Sequence, residues 1–137
     1  MPRPFPSTRP LLTTRHERLV PILLVALGGF VGSNLRYAVE LLSSTPLVGT
    51  LLVNVVGSFA LGVVLYEGIY RGMLSERLQL VVGTGILASF TTYSTFAYES
   101  YANPDLALAY VCATYALGFL GVLAGRAVAG RYRTEER

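Results

Sequence analysis

The sequence contains no lysine and no tryptophan, one cysteine (Cys112), one histidine (His16), and charged side chains at only 14% of its 137 positions. Each scarcity removes a class of function. A lone cysteine cannot close an intrachain disulfide, so sulfur is silent about compartment. Within an apolar run, Cys112 reads as a small packing residue. His16 sits in a polar leader and cannot assemble a metal site, which needs several ligands. No apolar run holds a carboxylate pair, a Ser/His/Asp set or a phosphate loop, and Gly83-x-Gly85 lacks the third glycine of a dinucleotide turn. An enzyme is therefore not expected. A proton-coupled exporter would need a titratable group at mid-membrane, yet Glu40, Glu67 and Glu99 all fall near the ends of apolar runs.

What the chain has in abundance is hydrocarbon: 53% of its residues are apolar. Four stretches reach spanning length, at about Leu19–Leu42, Pro46–Tyr66, Leu78–Tyr98 and Leu106–Val128, since ~20 helical residues cross a ~30 Å hydrocarbon core. This predicts an all-α membrane protein: a domain of four transmembrane helices over residues 19–128, a disordered tail at 1–18 and a charged tail at 129–137. The arginine-rich leader before Leu19 resembles a signal peptide, but the apolar run continues past Gly28 and three more spans follow.

All eleven basic residues are arginine. Four precede the first span (Arg3, Arg9, Arg15, Arg18), two join spans two and three (Arg71, Arg77), and four follow span four (Arg126, Arg131, Arg133, Arg137). Four spans put these regions on one side of the membrane, leaving only Arg36 elsewhere. Basic residues of short loops stay cytoplasmic, so both termini are expected inside the cell membrane. The net charge of +3 reports topology, and no aromatic-basic groove for nucleic acid accompanies it.

Within the spans, small and polar residues recur four apart and so share helix faces. Gly28 and Gly32 form a close-packing pair on span one. Near its end, Asn34 and Arg36 leave two readings open: an arginine snorkelling beside Tyr37, or one shaping a mouth for anions. Span two carries the stripe Thr50, Asn54, Ser58, Gly62. There Asn54 either bonds a neighbouring helix or offers its amide to something passing. Span four carries Tyr110, Thr114, Gly118, with Gly121 and Gly125 as a second close-packing pair. Asn103-Pro104-Asp105 suits a turn followed by a helix start.

Span three departs most from an ordinary membrane helix. Ala88-Ser89-Phe90-Thr91-Thr92-Tyr93-Ser94-Thr95 has five hydroxylic side chains and a phenol in eight positions. Polar groups at that depth must be answered within the protein or line a cavity, which predicts an interruption near 88–92. Tyr93 and Phe96 share a face beyond it; Thr92, Thr95 and Glu99 follow an adjacent line, with Glu99 read as an interfacial carboxylate. Hydroxyls, an amide and the positive edges of aromatic rings suit an anion. A path without net charge suits conduction, because a deep well would trap the ion.

Three stretches together resemble the Fluc/CrcB fluoride channels: Gly28-Gly29-x-x-Gly32-x-x-x-Arg36-Tyr37, then Gly49-Thr50-Leu51-x-Val53-Asn54-x-x-Gly57-Ser58-Phe59, then Thr91-Thr92-Tyr93-Ser94-Thr95-Phe96-x-x-Glu99. The resemblance covers all four spans. It implies a passive fluoride exporter built as an antiparallel dimer, with two fluoride pathways and a structural sodium ion at its centre. Carried over by position, Asn54, Tyr93, Phe96, Tyr110 and Thr114 would line the fluoride path. The backbone carbonyls of Ala88 and Thr91 would hold the sodium. Two positions depart from the family: Ala88-Ser89 replaces a Gly-Gly pair, narrowing the dihedral choice, and Tyr93 stands where phenylalanine is common.

An antiparallel dimer needs one subunit in each orientation, and ten arginines against one fix a single orientation for this chain. The expected partner is a paralogous subunit of opposite bias, with a homodimer as the alternative. A small multidrug exporter and a purely structural membrane subunit are the competing functions.

Overall fold

The computed structural model describes residues 15–131 apart from Arg71 and Met73. Helix α1 spans Arg15–Leu42, and α2 spans Pro46–Leu65 before widening into a π-helical turn, Tyr66–Tyr70. The third span opens as α3 (Glu76–Gln79) and continues as a π-helical segment, Leu80–Leu87. It closes with a single α-turn, α4 (Ala88–Phe90), and, after a gap, α5 (Ser94–Ala102). Helix α6 runs over Pro104–Arg131, and no strand occurs among the described residues. Four segments are long and apolar enough to cross a membrane: Leu19–Leu42, Pro46–Gly68, Glu76–Ala102 and Pro104–Arg131. The expected all-α, four-span membrane architecture is thus what the chain adopts.

The helix starts follow from local chemistry. Thr45 caps α2, its Oγ1 accepting the Val48 N–H at 3.4 Å, and Pro46 occupies the first turn, where a missing N–H costs nothing. Pro104 opens α6 with Asp105 in its first turn, where a carboxylate meets the positive end of the helix dipole. The expected turn-then-helix at 103–105 is therefore found.

Packing rests on small residues, because apolar side chains gain nothing by leaving lipid for protein. Helix α2 lies along α6, and α1 lies along the π-helical segment of span three. A Cβ on Gly28 would stand 2.6 Å from the Val81 carbonyl oxygen and 3.0 Å from Gly85 Cα, and one on Gly125 would overlap the Phe59 carbonyl. The glycine pairs singled out in spans one and four are thus backbone-to-backbone contacts. Large apolar side chains such as Phe30, Leu108 and Phe119 face outward, as they do where hydrocarbon or a second subunit is the surroundings.

The structure moves several boundaries. Helix α1 begins at Arg15, ahead of the apolar run, because a helix can extend past the hydrocarbon into water. What remains of the expected leading tail, 1–14, lies outside the described residues. Helix α6 reaches Arg131 with Ala129 buried, so 129–131 are helical where a tail was expected, and 132–137 lies outside the described residues. The polar link 67–77 is partly helical. Cys112 is exposed on α6: within one subunit nothing packs over it.

Candidate functional site

Span three leaves helical geometry at Thr91 (φ −78°, ψ 159°) and resumes at Ser94. The hydroxyl-rich composition pointed to 88–92, whereas Ala88–Phe90 is still helical and residues 91–93 are not. The break is met from α2. Asn54 bonds the main chain of Thr92 with both ends of its amide: Nδ2 donates to the Thr92 carbonyl at 3.0 Å, and Oδ1 accepts the Thr92 N–H at 2.8 Å. Thr92 in turn starts the next helix, its hydroxyl accepting the Thr95 N–H at 3.2 Å and donating to Thr95 Oγ1 at 3.0 Å. Side-chain oxygens of this kind answer backbone donors at a helix start. Behind the break, Thr91 N–H and Thr91 Oγ1 both donate to the Leu87 carbonyl at 3.0 Å.

These bonds redirect two amides. In a continuous α-helix, Thr92 N–H would answer the Ala88 carbonyl and Thr95 N–H the Thr91 carbonyl. Here Asn54 Oδ1 and Thr92 Oγ1 take those donors. The two carbonyls so released belong to the residues that the resemblance names as sodium ligands. Hard oxygen donors on unwound backbone are the chemistry that holds sodium in membrane proteins. The missing glycines impose no strain: Ala88 is right-handed helical at φ −65°, ψ −29°, and no described residue other than glycine has a positive φ.

On the face where the break meets α2 and α6 lies a cavity of about 460 Å³. Asn54, Tyr93, Phe96 and Thr114 line it, as do Ala88 and Thr91, and among the described residues no charged side chain does. Four of the five residues expected along the fluoride path therefore meet in one space. The Thr114 hydroxyl, buried here, finds no hydrogen-bond partner. Phe96 is buried among three rings: Tyr93 tilted at 5.9 Å, Tyr110 tilted at 5.4 Å, and Tyr115 edge-on at 6.0 Å with an interplanar angle of 87°.

Tyr110, the fifth, is buried beside this space and tied to a carboxylate. Its hydroxyl donates to Glu99 Oε2 at 2.7 Å, while Thr50 Oγ1 donates to Glu99 Oε1 at 3.0 Å. Glu99 is only 5% exposed, so reading it as an interfacial carboxylate was wrong. It lies close to the end of its helix, but Thr50 in the second turn of α2 and Tyr110 in the second turn of α6 cover it. Tyr115 was also missed; it falls one place off the Tyr110–Thr114–Gly118 stripe. Asn34 Nδ2 donates to Phe30 O at 2.7 Å, and Arg36 Nε lies 3.7 Å from Glu40 Oε1. Among the described residues, no cluster of three His, Cys, Asp or Glu could hold a metal.

The family model described as CrcB-like protein, Camphor Resistance (CrcB), matches residues 23–126. A protein of Haloarcula marismortui, fluoride-specific ion channel FluC 1, is 55% identical over 122 residues, covering 89% of this chain and 91% of its own. Fluoride-specific ion channel FluC 2 of Halobacterium salinarum is 48% identical over 116 residues, covering 83% and 90%. FluC 1 of Natronomonas pharaonis is 48% identical over 109 residues, covering 78% and 92%. The family model's match runs from within span one to within span four and includes the break and its cavity, and the chain belongs to the CrcB family.

Proposed function

We propose that this protein is a fluoride-selective passive channel of the cell membrane that lets fluoride leave the cell and so relieves its toxicity. The observation that carries the reading is the Thr114 hydroxyl, buried without a partner on a wall shared with Asn54 and Phe96. A buried polar group left unanswered costs about 1–3 kcal/mol, a cost explained if an anion takes the bond in passage. Fluoride is small and tightly hydrated, so its shell can be exchanged only for close, strong donors. One Asn54 N–H is spent on Thr92, and Asn54 lines the cavity with a second N–H still to give. Ring hydrogens of Phe96 and the hydroxyls of Thr114 and Tyr93 complete a donor set without a fixed charge. Such a set lowers the barrier without building a trap. Flux follows the fluoride gradient, and no proton carrier is needed.

The same reading includes an antiparallel dimer with a sodium ion at its centre, held by the Ala88 and Thr91 carbonyls of each subunit. Bound there, sodium would supply a fixed positive charge that ties the two breaks together. The arginine bias supports cytoplasmic termini and a paralogous partner, and numerals in the relatives' names, FluC 1 and FluC 2, suit proteins that occur in sets. Blue-native electrophoresis of the protein expressed alone tests the pairing: a conducting homodimer would refute the paralogue. Expression with its partner in a host lacking fluoride export tests the function. Restored growth in fluoride is expected, and unchanged sensitivity despite membrane insertion would refute the channel.

A further inference from the structure

We propose that Asn54 is a positioning residue for the sodium site, holding the backbone of the break from α2 so that the Ala88 and Thr91 carbonyls stay out of helical hydrogen bonding. This rests on the sodium reading above and adds a residue that does not itself supply a ligand oxygen to it. Two acceptors compete for the Thr92 N–H. The Thr92 peptide has an intrahelical alternative, donation to the Ala88 carbonyl. Instead the N–H and the carbonyl of Thr92 both bond one side-chain amide, at 2.8 and 3.0 Å. Capture of that peptide sets the extended Thr91 (ψ 159°) and leaves the Thr92 hydroxyl to cap α5. Both released carbonyls thus trace to a single contact from a neighbouring helix.

Gly57, one turn along α2, completes the clamp. A Cβ there would run into the methyl group of Thr91, so only glycine lets α2 come near enough for Asn54 to reach Thr92. In a dimer with one break from each subunit, every sodium ion depends on two such clamps. The amide therefore has two separable tasks: two of its bonds hold the break, and the same residue lines the cavity.

The test is a sodium titration of thermal unfolding on the purified protein with its second subunit, ionic strength being held constant with N-methyl-D-glucamine chloride. The wild type is expected to gain stability with saturation. Asn54→Ala and Gly57→Ala are expected to need roughly tenfold more sodium for half the gain, as loss of the bonds that hold a site open implies. Val56→Ala, on the outward face of the same helix, is expected to titrate like the wild type. If Asn54→Ala does not fold, Gly57→Ala carries the test, because it displaces Thr91 without deleting the Asn54 amide. An unchanged half-saturation in either folded variant overturns the positioning role. A wild type indifferent to sodium overturns the sodium reading itself, a distinct result from the same curves.

Discussion

Replacing Thr114 by valine keeps the volume and removes one atom's polarity, and its effects on stability and on flux should have opposite signs. The hydroxyl oxygen is buried without a partner. Desolvating such a group without a hydrogen bond costs about 1–3 kcal/mol, and valine removes that cost. Thr114→Val should therefore raise stability by about 1 kcal/mol, read as a shift in the thermal unfolding midpoint in detergent. If the hydroxyl instead answers a passing anion, that bond is charge-assisted and contributes about 1.5–3 kcal/mol. Its loss should slow fluoride efflux roughly 10- to 100-fold. A merely structural threonine would give the reverse pattern, a less stable protein with unaltered efflux. That result would refute both the orphan status of the oxygen and its place on the path.

Three further outcomes follow from the same geometry. Asn54→Leu and Phe96→Ile should each cut efflux at least roughly tenfold, measured by electrode on loaded vesicles; unchanged flux in both would remove them from the path. Tyr110→Phe strips one donor from the buried Glu99 carboxylate and should destabilise the protein by about 1–3 kcal/mol, seen as a lower unfolding midpoint. Glu99→Gln in the same background should recover part of that loss, since a neutral amide tolerates the missing bond better than a carboxylate; additive losses would show that the two groups do not interact.

The spans were legible because length and hydropathy leave few alternatives, and the starts at Pro46 and Pro104 because proline and a capping side chain act within one turn. The cavity's principal residues were legible for a related reason: Thr114, Asn54 and Phe96 are polar or aromatic at depths where leucine would be ordinary. Which peptide the break would seize was not legible. The hydroxyls of 88–95 announce that a helix can be left, whereas the choice of Thr92 belongs to Asn54, 38 positions earlier in the chain. Glu99 was misread because nearness to a helix end was equated with exposure. Its burial comes sideways, from Thr50 and Tyr110, and no local pattern records that. Tyr115 was missed because a four-residue stripe is narrower than the arc of a helix that reaches one large ring. The arginine bias concerns insertion, which no packing of one subunit could reveal.

The central claim is that uncharged donors around the break replace water on fluoride and do not do so for larger halides. It is tested most directly by loading vesicles containing the purified protein, with its partner subunit, with fluoride and chloride together, and following both ions with selective electrodes after a potassium ionophore is added. Rapid loss of fluoride with chloride retained is the predicted result. Vesicles that hold fluoride as tightly as protein-free lipid, or that lose both halides together, would contradict it.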